Sequence, residues 1–485
     1  MRLYCPSVPA PTPDSSDLSR FGYAQELFRS MGGFSNFAIS FSIISILTGA
    51  VTLYGYGLEM GGPLEMSLGW PLATVATLAM ACSMAELCSA WPTSGAMYHW
   101  TLALGTPSLA WLVAMFNIIG LIAAQAGINY SCAQFILPFL DIPATPRNLF
   151  LMFAFITVNQ AALNHWGVRL VALLNDLSVT IHILGVLVIA GAIFLLAPLQ
   201  PVSFLSHAVN SNHRSPYWWA FFLGLLQAHW TFTGFDGSAH MAEETTDPRR
   251  RAPWGIVLSV AVSGIVGYIL LISLTIAIGD LPSVLSATDK GGNTTPAAIA
   301  VMQSALGSRA GNAMGALASM AMWFCGLSAL ASSSRAVYSL ARDGGTPWSS
   351  FFRRVNARHG TPGPAIWSVV AATVAAMVWT GAIPVVTSLS TVTLYAAYII
   401  PIVLGYRRRP AWTHQAAWNL GRTGPWLNLA AILYTGFICV VLVMPPNQLA
   451  GKTFAALFGA LLILWFAWVA RRFQAPVWST HKENS

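Results

Sequence analysis

The 485 residues are 55% hydrophobic and only 8% charged, against about 25% charged in an ordinary soluble domain, which excludes a water-soluble globular protein and leaves a polytopic, all-helical membrane protein. Lys and Arg number 24 against 16 Asp and Glu, but the basic residues fall in short clusters between apolar runs instead of forming one stripe, so the charge reports topology and no nucleic-acid partner is expected. The six cysteines (Cys5, Cys82, Cys88, Cys132, Cys325, Cys439) include no C-x-x-C pair and mostly sit in apolar runs, which argues against a disulfide framework, a metal or a cofactor.

The chain opens on PSVPAPTPDSSD, with no apolar h-region in the first thirty residues. No cleavable signal peptide is therefore expected, and the first span serves as the insertion signal. At about 20 apolar residues per crossing, the sequence predicts twelve spans, near 36–60, 68–90, 107–137, 149–164, 169–197, 216–240, 254–279, 311–341, 364–382, 384–405, 425–444 and 452–470. An even number puts both termini on one side of the bilayer. With the N-terminus inside, the outer segments hold only Arg147, Arg214, Lys290, Arg309 and Lys452, leaving 19 of the 24 basic residues inside. The positive-inside bias predicts cytoplasmic termini in a multi-pass plasma-membrane protein. In the outer loop 280–310, NTTPAAIAVMQSAL reads as a short external helix, and Asn293-Thr294-Thr295 is a glycosylation sequon.

Two spans carry breakers. In the first, FAISFSIISILTGAVTLYGYG, the expected unwound point is Thr48-Gly49-Ala50. In the sixth, TFTGFDGS interrupts an apolar run, predicting one half-helix ending near Trp230 and another starting near Ser238, with Gly234 at the break. An unpaired backbone group in hydrocarbon costs several kcal/mol, so a broken helix survives only where it lines a cavity. The bland reading is that the glycines merely allow close helix packing. Asp236 weighs against it, because a carboxylate at depth needs water, a partner or a helix N-terminus, whose exposed amides it could cap. Breaks five helices apart predict inverted repeats sharing a midplane site: a tail 1–33, a first repeat 34–200 holding spans one to five, a second repeat 201–410 holding six to ten, a segment 411–472 holding eleven and twelve, and a tail 473–485.

Other polar residues at depth are Asn117, Gln125 and Asn129, which share one face of the third span and either line the solute path or bond between helices. Tyr395 and Tyr398 of the tenth are gate or core. Glu86, Glu243, Glu244, Arg249 and Arg335 lie at cytoplasmic ends, as gate ion pairs or as solvated charges. The sequence contains no H-E-x-x-H, no G-x-S-x-G and no phosphate-cradling loop, so nothing predicts an enzyme.

GYAQELFRSMGGFSNFAISFSIISILTG, AELCSAWPTSGAMYHW, GFDGSAHMAEETTDPRRRAPWGI and SSSRAVYSLARDGGTPW together resemble the amino acid–polyamine–organocation transporters over about residues 20 to 470. The stretch TFTGFDGSAHMAEE and the AMYHW segment are most similar to the amino acid/choline branch, which includes GABA permeases. The resemblance implies a LeuT-like fold of five plus five inverted helices with helices 1 and 6 broken, and secondary active transport by alternating access. Its substrate shell carries over to Ser45, Thr48 and Gly49 with Ala50 beside them, and to Trp230, Thr231 and Thr233 with Gly234. Half-helix amides suit a carboxylate and half-helix carbonyls an ammonium, so a zwitterion fits without a charged side chain; Trp230 would serve as a lid or a cation–π face.

His182 in the fifth span stands where transporters of similar sequence carry a lysine and sodium-coupled ones an ion. An imidazole changes charge near neutral pH, so His182 is the expected carrier of a coupling proton. Sodium coupling stays open, with Ser328 and Ser332 as candidate ligands. The expectation is a proton-coupled symporter of an amino acid or GABA. Choline or a polyamine is the alternative, for which Trp230, Trp323 and Asp236 are the relevant side chains.

Overall fold

The computed structural model describes residues 18–140, 142–211, 213, 216–288, 292, 294–380, 383–445, 447–473, 475, 476 and 478. The sequon residue Asn293, most of the N-terminal tail and most of the C-terminal tail lie outside them. Among the described residues the regular elements are helices, with three isolated bridge pairs and no strand ladder. This is the outcome a bilayer imposes, since a helix satisfies its own backbone.

Among the described residues nine helices are long and apolar enough to cross a membrane: Gly33–Thr52, Tyr54–Ala90, Pro107–Leu140, Arg169–Leu196, Pro248–Ile276, Ser308–Arg342, Val386–Arg407, Gly421–Val443 and Gln448–Arg471. The other three expected spans are helical but differ in kind. Residues 149–164 lie in a less apolar helix, Pro146–Trp166; residues 364–382 begin the helix Gly363–Thr380, whose apolar part is short; and 216–240 is divided into short pieces. The chain is an all-α polytopic membrane protein.

In chain order we label α1 Gly33–Ile44, α2 Ile46–Thr52, α3 Tyr54–Leu64, α4 Trp70–Ala90, α5 Met97–Leu104, α6 Pro107–Ile136, α7 Pro146–Trp166 and α8 Val168–Leu196. Then come α9 Tyr217–Gly224, α10 Leu226–Thr231, α11 Gly237–His240, α12 Pro248–Ile276, α13 Leu281–Leu285, α14 Ala297–Leu306 and α15 Ser308–Arg342. The last are α16 Ser349–Phe352, α17 Gly363–Thr380, α18 Ile383–Arg407, α19 Arg409–Trp412, α20 Gly424–Val443 and α21 Gln448–Ala467. The helix α14 forms where the sequence predicts a short helix within 280–310. Helix starts follow local chemistry: Thr106 and Thr145 accept the Leu109 and Asn148 amides, and a proline occupies the first position of α6 and α7, where its missing N–H costs nothing.

The core is built on α6, which packs against α15 and α18, and on α12, which packs against α1, α4 and α8. Burial declines outward. The most apolar stretch of Gln448–Arg471 is only 11% buried, with Ile463 and Phe466 exposed, as expected of side chains that face lipid.

The first break lies at Ser45, three residues before the expected Thr48-Gly49-Ala50, which is helical within α2. Ser45 adopts φ 37°, ψ 84°, a left-handed conformation that costs a non-glycine residue roughly 1–2 kcal/mol. Its hydroxyl bonds locally, to Thr48 Oγ1 and to His182 Nε2 at 2.8 Å, while the Cys325 thiol donates to the Ile43 carbonyl at 3.1 Å. The unwound turn is therefore stabilised by side chains. Gly49 serves a different need: a Cβ there would stand 2.5 Å from Thr231 Oγ1 and 2.6 Å from Thr231 Cα, so glycine permits α2 and α10 to touch.

The second break is where the sequence places it. Residues 232–236 are non-helical between α10 and α11, and Gly234 has φ +88°. The expected role of Asp236 as a cap is not realised: its carboxylate makes no cap bond. The Ser238 amide is satisfied instead by Ser40 Oγ of α1 at 2.7 Å, which also donates to the Phe235 carbonyl at 2.8 Å. Asn36 of α1 donates to the Ser238 carbonyl at 2.9 Å. Polar side chains of the first span thus replace the helix bonds that the second break gives up.

Candidate functional site

The contact between α2 and α10 brings the two breaks together around a small cavity. Its walls are Ile43, Ile44, Thr48 and Gly49 from the first break and Trp230, Thr231, Thr233 and Gly234 from the second, closed by Leu121, Ala124 and Ile128 of α6, Cys325 and Ala329 of α15, and Leu394 of α18. The space open to a water centre is about 10 Å³, enough for about one water. All of its wall residues are buried.

Of the residues predicted to hold substrate, Thr48, Gly49, Trp230, Thr231, Thr233 and Gly234 line the cavity, and Ser45 and Ala50 do not. The Ala50 carbonyl accepts from Gln227 at 3.3 Å. No charged side chain is in the wall; its polar groups are threonine hydroxyls, the Cys325 thiol, the indole and backbone. Thr231 and Thr233 donate to the Gln227 and Trp230 carbonyls at 2.6 and 2.7 Å, leaving hydroxyl lone pairs as acceptors. Sequence reasoning missed Cys325, and the wall residues of α6 and Leu394 carry no signal beyond hydrophobicity.

His182 is buried behind the first break. Its Nδ1 lies 2.8 Å from the Ser178 carbonyl, which can only accept, so Nδ1 carries a proton and Nε2 is free to accept from Ser45 Oγ. The chain His182–Ser45–Thr48 reaches the cavity wall. Phe41 packs edge-on against the imidazole at 5.8 Å. Ser328 and Ser332 do not form a joint oxygen cage: the single Ser328 hydroxyl proton is shared between Asn175 Oδ1 and the Phe324 carbonyl, whereas Ser332 Oγ is buried without a hydrogen-bond partner beside Gly237.

The polar trio of the third span divides three ways. Asn117 donates to Asp236 Oδ2 at 3.1 Å, Gln125 accepts from Thr373 at 3.4 Å, and Asn129 pairs with Thr157 and Gln160 of α7 at 3.0 and 2.8 Å. None lines the cavity, and Asn129 is interhelical glue. Tyr398 donates to Asp236 Oδ1 at 2.6 Å and receives the Gly234 amide at 3.4 Å. Tyr395 meets a buried histidine that sequence reasoning overlooked, His229, at 3.1 Å; Tyr434 holds the other ring nitrogen at 2.9 Å.

At the basic end of the bundle three glutamates are buried and paired with arginines. Glu243 takes Arg342 at 2.9 and 3.0 Å, Glu244 takes Arg335 at 2.7 Å, and Glu86 takes Arg409 at 2.5 Å. Burial works to raise the Glu243 carboxyl, but the Arg342 guanidinium and hydrogen bonds from Ser94 override it and hold the group down to about 2. Arg342 also lies 3.8 Å over the Tyr23 ring, and Tyr23 donates to Asp343 at 2.9 Å. Arg249 reaches the Ser89 and Gln415 carbonyls. These charges are paired within the bundle and are not solvated loop charges.

A family model described as amino acid permease matches residues 31–468. The chain belongs to the amino acid permease family. Among relatives of this permease, the amino-acid permease BAT1 of Arabidopsis thaliana is 34% identical over 88% of both chains. The BAT1 homolog of Oryza sativa subsp. japonica is 33% identical over 95% of both. Amino-acid permease 2 of Neurospora crassa is 25% identical over 91% of this chain and 84% of its own. The permease is thus similar over nearly its whole length to proteins of plants and fungi.

Proposed function

We propose that the chain is a secondary active transporter, not an enzyme, that carries an amino acid or GABA across the plasma membrane by alternating access. The supporting observation is the closed cavity between two broken helices, whose wall holds no charged side chain. Backbone amides and carbonyls at half-helix ends recognise the carboxylate and ammonium common to amino acids, and the threonines add neutral hydrogen bonds. In this reading residues 34–200 and 201–410 are the two inverted repeats of a LeuT-like bundle of twelve spans, the basic end is cytoplasmic, and its ion pairs shut the inner gate.

His182 is the proposed coupling residue. Its bond to Ser45 ties its protonation to the first break, because a protonated Nε2 must donate where the neutral one accepts. Choline or a polyamine is less favoured: Trp230 is the aromatic residue of the wall, while Trp323 is held by Asn159 at 2.9 Å and Asp236 lies off the cavity. A sodium site is less favoured because the Ser328 hydroxyl is occupied.

Counterflow in proteoliposomes tests the reading. A preload of one amino acid should accelerate entry of a labelled one, and a competition panel of amino acids, GABA, choline and polyamines ranks the substrates. Competition by choline and polyamines alone would reverse the substrate assignment. His182→Ala should flatten the acid stimulation of uptake; stimulation equal to wild type would remove His182 from coupling.

A further inference from the structure

Asp236 and His240 face each other across one turn of the second half of the broken sixth span, both fully buried, with His240 Nε2 3.2 Å from Asp236 Oδ2. The other ring nitrogen, Nδ1, lies 2.8 Å from the Ser94 carbonyl. That oxygen only accepts, so Nδ1 holds a proton permanently, and Nε2 can change its protonation only toward Asp236. One proton in the gap gives either an imidazolium beside a carboxylate or a neutral imidazole beside a carboxylic acid. Both are neutral overall. With the proton gone, a lone pair faces a carboxylate, and the remaining negative charge is held by the donors Tyr398 and Asn117 at 2.6 and 3.1 Å. In this arrangement His240 Nε2 is buried 3.2 Å from Asp236 Oδ2 without a hydrogen bond, the situation of the empty pair, and a proton placed there would meet an unused acceptor beside a carboxylate.

The surroundings leave this proton without a competing counter-charge. Tyr398 is the titratable group that α18 presents, and Asn117 of α6 is neutral. The elements α1 and α12 present Asn36, Ser40 and Gly255 around Ser238. The charges at this end of α15, Arg335 and Arg342, are engaged by Glu244 and Glu243 respectively. His182 differs in kind, since its buried neighbours are hydroxyls, a carbonyl and a phenyl ring, with no carboxylate to offset a charge. The pair also bridges the cavity and the gate. Tyr398 touches both Asp236 and the Gly234 amide of the cavity wall, while Ser94, whose carbonyl takes His240, gives its amide to Glu243 of the gate pair at 3.0 Å.

We propose that Asp236 and His240 form a proton-binding site that carries a coupling proton between the central cavity and the basic-end gate, separate from His182. The inference rests on the reading of the chain as a proton-coupled permease. The chemistry is one proton transferred between water and the Nε2–Oδ2 gap as the gate opens, with no bond otherwise made or broken. Loading neutralises the pair, weakens the hold of Asp236 on Tyr398 and through it loosens the Gly234 turn.

Limiting accumulation in proteoliposomes under an imposed pH difference tests it, with a radiolabelled amino-acid mixture as the probe. Each coupled proton multiplies the limiting accumulation about tenfold per unit of pH difference. Asp236→Asn, a permanently neutral stand-in for the protonated acid, should lower that limit about tenfold while counterflow, which needs no net proton movement, persists; His240→Gln should act in the same direction. Wild-type accumulation in both variants overturns the site and leaves proton coupling of the permease standing. No pH-driven accumulation in the wild type overturns both readings. Loss of counterflow in both variants makes the pair structural and overturns the site alone.

Discussion

Gly49 and Gly234 are both glycine in the cavity wall, for different reasons that predict different rescues. At Gly49 the backbone is helical, and a Cβ would run into the Thr231 backbone as well as its side chain. At Gly234 the φ of +88° is itself unfavourable to an L-residue, and a Cβ would also overlap the Ile43 side chain. Gly49→Ala should therefore cost about 1–3 kcal/mol through overpacking and abolish counterflow, with no recovery on adding Thr231→Ser, because the Cα remains in the way. Gly234→Ala should be equally inactive, yet adding Ile43→Ala should restore part of the activity by removing the overlap and leaving only the dihedral cost. Counterflow and thermal melting of the four variants check this. A rescue by Thr231→Ser would contradict the close helix contact.

At the scale of elements, the basic end is closed by ion pairs that connect α15 to the segment between α11 and α12. Arg342→Gln would leave Glu243 buried and uncompensated, which costs about 3–5 kcal/mol, whereas Arg342→Gln with Glu243→Gln removes both charges and should recover most of the melting temperature. The pH dependence follows from the direction of the shift. A carboxyl held down to about 2, from the ordinary 4.5, contributes stability that is fully present above the ordinary value and is lost only as pH falls through about 2. Lowering the pH from 7 to 5 should thus leave proteolysis of the 342–363 loop unchanged. Faster cutting at pH 5 would show that acid opens this end through Glu243.

The same elements mark how far the chain could be read in advance. Helices, apolar spans and the break at TFTGFDGS follow from local pattern, since glycine and a carboxylate in hydrocarbon leave little choice. The break at Ser45 does not, because a left-handed serine depends on His182, distant in the chain, and on the Cys325 bond to Ile43. Asp236 stands out as a carboxylate at depth, but the cap that its position suggests is supplied by Ser40 instead. His240 was within reach, four residues on and so on the same helical face. The contacts of Tyr23 with Asp343, 320 residues away, lie beyond any sequence period, as does the pairing of Glu243 with Arg342.

For the whole molecule, a cavity with room for about one water cannot admit an amino acid, so transport requires the bundle to open. The site of opening can be tested by preventing it. Ser94 beside α5 and Ser339 on α15 place their hydroxyl oxygens 3.0 Å apart across the basic end, which makes the two positions candidates for an introduced disulfide. The described cysteines are free thiols, with Cys88, Cys132 and Cys325 buried, and the single variants control for pairing with a native thiol. In Ser94→Cys with Ser339→Cys, oxidation should stop counterflow and reductant should restore it, while either single variant stays active under oxidant. Locking these two hydroxyl positions also freezes Ser94, the residue between His240 and Glu243. A cross-linked protein that still exchanges its substrate would mean that the two halves part elsewhere and that the ion pairs at this end hold a fixed wall, not a gate.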